Sequence, residues 1–225
     1  AGLYGGVTTL IDFADQERGG SILDAVRMRT ALAEKQCAAD FSFHCTLTDI
    51  NEETLQAIPV LIKHGFTSFK FYTAYSNLLV PYADMERAFR VIAEHGAIAT
   101  VHAENEEQIN EAVARLKAEP SAVRRLIELA RRTGVRLLIR HVSSAEGAAL
   151  IEQAQREGLE VYGETCPHYL CFDETVYEKE HASDYIVNPP IRTAADRAGI
   201  WRVLSAGTKF TIGTDDCAFY LSQKR

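Results

Sequence analysis

Four residues of this 225-residue chain could share one chemistry: Lys70, His102, His141 and Asp215. Two imidazoles and a carboxylate are metal-ligating and proton-transferring groups. The lysine is the anomaly among them. Ser68-Phe69-Lys70-Phe71-Tyr72-Thr73-Ala74-Tyr75 reads as a short strand bounded by Gly65 and Ser76-Asn77. Its alternation places Phe69, Phe71 and Thr73 on one face, and Ser68, Lys70 and Tyr72 on the other. Burying an unpaired ammonium is costly, so this cation must be paired, neutralised or chemically changed. The plain alternative is an edge strand whose lysine reaches out to water.

The elements that would position these residues alternate. Strand-like runs cover 6–13 (GVTTLIDF), 41–47, 68–75, 97–103 (AIATVHA), 136–142, 159–165 and 209–214. Between them lie helical spacings: 21–36, a helix capped by Asn51 and stopped at Gly65, 82–95, one opened by Asn105 with Gln108, 122–132, one capped by Ser144 and stopped at Gly158, and one carrying Ile200, Trp201, Val203 and Leu204. Seven apolar strands alternating with helices predict an α/β fold with parallel strands. The pattern leaves a doubly wound sheet and a (β/α)8 barrel open. Spacing favours the barrel. A barrel of roughly 250 residues has about 31 residues per unit. Lys70 and His102 are 32 residues apart, His102 and His141 39, and His141 and Asp215 74. These are one, one and about two units, with the polar residues in strands or at strand C-terminal ends, where a barrel presents its active site.

Composition narrows the class. A net charge of −7 with no basic run argues against nucleic-acid binding. No apolar run approaches membrane-spanning length. The five cysteines lack C-x-x-C spacing, which suits reduced thiols and, with no signal-peptide pattern, a cytoplasmic setting. At 47% hydrophobic content the chain can bury one sizeable core, so residues 1–225 are expected to form one domain. The chain opens without Met and runs straight into a strand, so both ends are expected to be cut.

Several segments together resemble the metal-dependent amidohydrolase superfamily, and within it the cyclic amidohydrolases of the dihydropyrimidinase and hydantoinase branch. GFTSFKFYTAY is similar to that family's lysine strand, VHAEN and RHVSS to its two single-histidine strands, and GETCPHYL, NPPIR and GTDDCAF to its last two barrel strands and the loop between them. The resemblance implies a TIM-type (β/α)8 barrel of which strands two to eight are present, with the first strand and flanking regions missing. It implies two Zn2+ ions bridged by carboxylated Lys70. His102 and His141 would ligate the second metal. Asp215 would ligate the first and act as general base and acid. A bridging hydroxide would open a cyclic amide or imide, of dihydropyrimidine or 5-substituted hydantoin type. Tyr75 would donate to the developing oxyanion, and the backbone at Asn188 would contact the substrate. The family's habit also implies a homotetramer.

Departures from the pattern accompany the match. No His-x-His occurs, so the first metal keeps only Lys70 and Asp215. Asp216 stands where many relatives have His, and Asn188 where dihydropyrimidinases commonly have Ser. Allantoinase or dihydroorotase chemistry is therefore the enzymatic alternative, and a non-catalytic scaffold the other. Near Glu119-Pro120-Ser121 two helical patterns abut with almost no loop, so a segment of roughly 20 residues is expected to be absent between 118 and 123. His44 reads as structural and Cys217 as a packed thiol. His168 borders the pocket of the family. Arg192 has two open readings, orienting an anionic product or holding its own loop by a salt bridge.

Overall fold

In the computed structural model, residues 2–109, 115–217 and 220–224 are described. The elements in chain order are β1 (Thr9–Asp15), α1 (Ile22–Gln36), β2 (Asp40–Thr46), α2 (Glu52–Lys63), β3 (Ser68–Tyr72), α3 (Tyr82–Glu94), β4 (Ile98–His102), α4 (Glu106–Ile109), α5 (Arg115–Thr133), β5 (Arg136–Ile139), α6 (Ala145–Arg156), β6 (Val161–Thr165), α7 (Pro167–Cys171), α8 (Ala194–Ser205), β7 (Phe210–Ile212) and α9 (Leu221–Lys224). The expected α/β alternation is present, and β1–β2, β2–β3, β5–β6 and β6–β7 all pair in parallel. The chain packs as two compact units, one of residues up to 101 with 132–136, the other of 102–131 with the residues from 137 on.

In the first unit, α2 and α3 each bury one stripe, and β3 buries residues on both faces while β1 is largely exposed. Thr54, Ala57, Ile58 and Leu61 are the buried stripe of α2, and Met85, Ala88, Phe89 and Ile92 that of α3. Both follow the i, i+3, i+4, i+7 spacing of an amphipathic helix. The Asn51 side chain caps α2 by accepting from the Thr54 N–H at 2.9 Å. Gly65 (φ 94°) and Gly96 (φ 66°) end α2 and α3 in the left-handed region, which glycine enters without steric cost. Successive residues Phe69, Lys70 and Phe71 of β3 are all buried, so neither face of this strand is open. The edge-strand reading of Lys70 is thereby removed.

In the second unit, β5 buries Leu137 and Ile139, and Cys166, Tyr169, Leu170, Val176, Ile191 and Ile200 form a cluster beside α8. Ser144 caps α6 by accepting from the Gly147 N–H at 2.9 Å. Gly163 lies mid-strand in β6 because the Phe210 ring of β7 occupies the space of a side chain; a Cβ there would stand 2.3 Å from the ring.

Boundaries differ from expectation in several places. The first strand starts at Thr9, where its pairing with Asp40 of β2 begins, and leaves Val7 exposed. The last strand is trimmed to Phe210–Ile212 by its short pairing with β6. The helix opened by Asn105 is described only as α4, since Ala112 and Val113 lie outside the described residues. Where two helical patterns were expected to abut near Pro120, α5 runs through Glu119, Pro120 and Ser121 as one helix. Proline removes one helix hydrogen bond, but Ala118, Glu119, Ala122, Val123 and Leu126 are buried on this helix and hold it.

Replacing Gly163 with Ala is expected to destabilise the fold by about 1–3 kcal/mol through overpacking against Phe210. Urea unfolding would show a lower midpoint at unchanged slope.

Candidate active site

In the first unit, β3 carries Lys70 at 2% exposure. Its Nζ stands 4.6 Å from the Tyr72 ring centroid and 5.7 Å from that of Phe13. Cation–π contacts contribute about 0.5–2 kcal/mol. Taking an ammonium out of water costs several kcal/mol, and these rings supply part of the compensation. Thr46, the strand neighbour of Lys70 in register, is fully buried. His44 Nδ1 lies 2.7 Å from Ser68 Oγ, which gives this histidine a structural bond between β2 and β3. Tyr75 is half-buried just past the strand, and its carbonyl accepts from Leu78 and Leu79 N–H at 2.7 Å each.

In the second unit, His102 and His141 are 3% exposed each and meet edge to face, with His102 Nδ1 3.0 Å from His141 Nε2. Glu104 Oε2 lies 3.2 Å from His102 Nε2. With Nε2–H of His102 donated to Glu104, its Nδ1 lone pair faces His141. A carboxylate behind a histidine is the arrangement that orients metal-ligating imidazoles. Two nitrogens at 2.0–2.1 Å from one tetrahedral zinc would stand roughly 3.3 Å apart. The observed separation is close to this, so the donor pair fits two positions of such an ion. Among the described residues no group of three or more His, Cys, Asp and Glu side chains is gathered to hold a metal.

Asp215 follows β7 and is partly exposed. Arg140, the residue before His141, lies 3.7 Å from Asp215 Oδ1 through Nη2 and 2.6 Å from Glu164 Oε1 through Nε. A Cβ at Gly213 would stand 2.6 Å from the Glu164 carboxylate carbon, so glycine there leaves room for this pair. Asp215 and Asn188 share the wall of a cavity of about 820 Å³ with His168, Thr214, Asp216 and Cys217. Burial holds His168 below its ordinary pKa, and the Asp215 carboxylate opposes that shift.

The backbone marks the same residues independently. Among the described non-glycine residues with positive φ are Tyr75 (68°), His141 (41°) and Asp215 (47°), and these three are the full set. Such conformations cost of order 1–3 kcal/mol each and cluster at functional sites.

Sequence reasoning did not single out Glu104, Glu119, Arg140 or Glu164. Glu104 could have been found, since it sits two residues past His102 in an extended segment and so points the same way. The other three are charged residues next to ordinary helix or strand patterns, with no local sign of burial.

No family profile matches the chain. The chain is 34% identical over 247 residues to the D-hydantoinase of Streptomyces coelicolor, covering all of this chain and 52% of that protein. It is 31% identical to the D-hydantoinase of Geobacillus stearothermophilus, covering 97% of this chain and 51% of the relative. Among solved structures, the dihydropyrimidinase of Brevibacillus agri superposes with a TM-score of 0.90 at 30% identity, over 97% of this chain and 52% of that one. The chain is a relative of the hydantoinase branch of the cyclic amidohydrolases. It spans about half the length of the curated hydantoinases it matches. A second solved structure, the D-hydantoinase of a Bacillus sp., gives a TM-score of 0.91 at 29% identity over 96% of this chain and 52% of its own. The hydantoinase likeness therefore runs through both units.

Burial pushes the thiols of Cys45 and Cys166 up to about 12, aided at Cys166 by the Asp215 and Glu164 charges. At pH 8 only about one in ten thousand such thiols is ionised. Iodoacetamide at pH 8, read by peptide mass spectrometry, is expected to label the exposed Cys171 and Cys217 and to spare Cys45 and Cys166.

Proposed function

We propose that the protein containing this chain hydrolyses the C–N bond of a cyclic amide or imide, of dihydropyrimidine or 5-substituted hydantoin type. The observation that carries this reading is the buried His102–His141 pair, backed by Glu104, on a chain related to hydantoinases. The proposed architecture is a (β/α)8 barrel, with the strands described here as seven of its eight. High structural likeness to hydantoinase and dihydropyrimidinase chains supports it.

His102 and His141 would hold one zinc ion, and Asp215 and a carboxylated Lys70 would each be ligands for a second. Carboxylation would turn the buried ammonium of β3 into an acidic ligand. The metals would supply Lewis-acid polarisation of the amide carbonyl and lower the pKa of water. The remaining chemistry belongs to the side chains. Asp215 would take a proton from the water that attacks the carbonyl carbon and return it to the ring nitrogen as the C–N bond breaks. Tyr75 donates a hydrogen bond to the oxygen on which negative charge develops. The backbone at Asn188 holds the ring beside Asp215, with which it shares the cavity wall. Solution as a cytoplasmic homotetramer remains part of this proposal; no described helix is long and apolar enough to cross a membrane.

Allantoin opening is the competing activity, raised by Asn188. A scaffold without catalysis is disfavoured by the presence of Lys70, His102, His141 and Asp215. Rates of the full-length protein on dihydrouracil, a 5-substituted hydantoin and allantoin separate the readings. Opening of either of the first two is expected, and failure on both with zinc present would overturn the proposal. Asp215→Asn is expected to lower kcat by about 10²–10⁴-fold, while Tyr75→Phe is expected to lower it by about 10²–10³-fold.

A further inference from the structure

Glu119 is a carboxylate at 1% exposure on α5, and it accepts four hydrogen bonds. Ser143 donates to Oε2 from its N–H at 2.9 Å and from Oγ at 2.6 Å. Ser144 donates to Oε1 in the same way, at 2.9 and 2.6 Å. These two serines come directly after His141-Val142. A Cβ at Gly147 would stand 2.6 Å from Glu119 Oε1, so the first turn of α6 is open only as far as the carboxylate requires.

The same turn of α5 holds two further segments. Arg192, buried to 5% exposure, donates from Nε to Ser143 Oγ at 2.8 Å, and its Nη2 lies 3.9 Å from Glu119 Oε2. Arg192 ends the Asn188-Pro189-Pro190-Ile191 stretch. On the other side, the Ala118 carbonyl accepts from the Asn105 N–H at 3.0 Å, and Asn105 Nδ2 donates to Ser121 Oγ at 3.3 Å. Asn105 directly follows Glu104. One helical turn, 118–121, therefore ties down the segments that follow His102, His141 and Asn188.

We infer that Glu119 is a positioning residue for the site: it fixes the His141 segment directly and the Asn188 loop through Ser143 and Arg192. The inference rests on the proposed reading of those residues as ligand and substrate contact. Its physical basis is the demand of a buried carboxylate for donors. Bonds to an ionised acceptor are short and about twice as strong as neutral ones, and leaving any donor unmet is costly. The left-handed backbone at His141 (φ 41°) persists only where its surroundings over-determine it, and the Glu119 bonds begin two residues later. Arg192 thereby acts as a holder of its loop.

The test uses the full-length protein and two variants. Glu119→Gln keeps the volume but turns an amide NH2 towards a backbone N–H. Ser143→Ala keeps the carboxylate and both backbone bonds but removes the hydroxyl that links Glu119 to Arg192. Glu119→Gln is expected to weaken zinc binding about tenfold or more, as loss of outer-shell partners does, and to speed amide exchange at Ser143 and Ser144. Ser143→Ala is expected to leave zinc affinity within about twofold, to speed amide exchange across 188–192, and to raise KM more than it lowers kcat. Wild-type zinc affinity and amide protection in Glu119→Gln, with only a lower melting temperature, would overturn the inference. Should Glu119→Gln fail to fold, wild-type exchange across 188–192 in Ser143→Ala overturns it alone. Zinc binding and exchange need no turnover, so a wild-type protein that opens no ring defeats the proposed function without deciding this test.

Discussion

Charge taken out of water is the constraint on which this structure turns. Lys70, Glu104, Glu119, Arg140 and Arg192 are all buried, and an ion without partners in such a place costs several kcal/mol. The last four bring specific charged or hydrogen-bonding partners, at or near the ends of strands and in the segments that follow them. Glu104 meets His102, Arg140 meets Glu164 and Asp215, and Glu119 meets Ser143, Ser144 and Arg192. A hydrophobic core alone would place the strands, but it would not dictate the path of the chain beyond them. The buried polar bonds do so, and they converge on the residues assigned to metal and substrate.

Backbone conformation follows the same logic. Tyr75, His141 and Asp215 carry side chains that a glycine could not replace, yet each sits where glycine would be easier. A left-handed residue after a strand turns its side chain back over the strand end instead of continuing the alternation. Tolerating that at about 1–3 kcal/mol each requires rigid surroundings. At His141 those surroundings are the bonds of α5 and α6; at Tyr75 they are the paired N–H groups of Leu78 and Leu79 on its carbonyl.

Much of the fold was legible because its signals are local. Apolar strands alternating with capped helices were readable, as were Asn51 and Ser144 as caps, and the lysine in an aromatic strand stood out as a misfit. Whole-unit spacing of Lys70, His102 and His141 then pointed to strand ends. The rest depends on long-range contacts. Nothing in Ala118-Glu119-Pro120-Ser121 says that the glutamate is buried, and the proline suggests a break where the helix continues. The choice between two roles for Arg192 could not be made until Ser143 and Glu119 were seen beside it. Strand ends moved for the same reason, since β1 begins where β2 offers a partner and β7 ends where β6 stops pairing.

Lys70 is where the account is most exposed to test. Its ammonium is buried in the middle of a strand, and the proposed chemistry requires a carbamate there. The direct measurement is 13C NMR of the full-length protein equilibrated with zinc and 13C-labelled bicarbonate. A protein-bound carbamate carbon that disappears in Lys70→Met is the predicted result. Zinc-loaded protein with no carbamate signal, or a signal that survives in Lys70→Met, would contradict it.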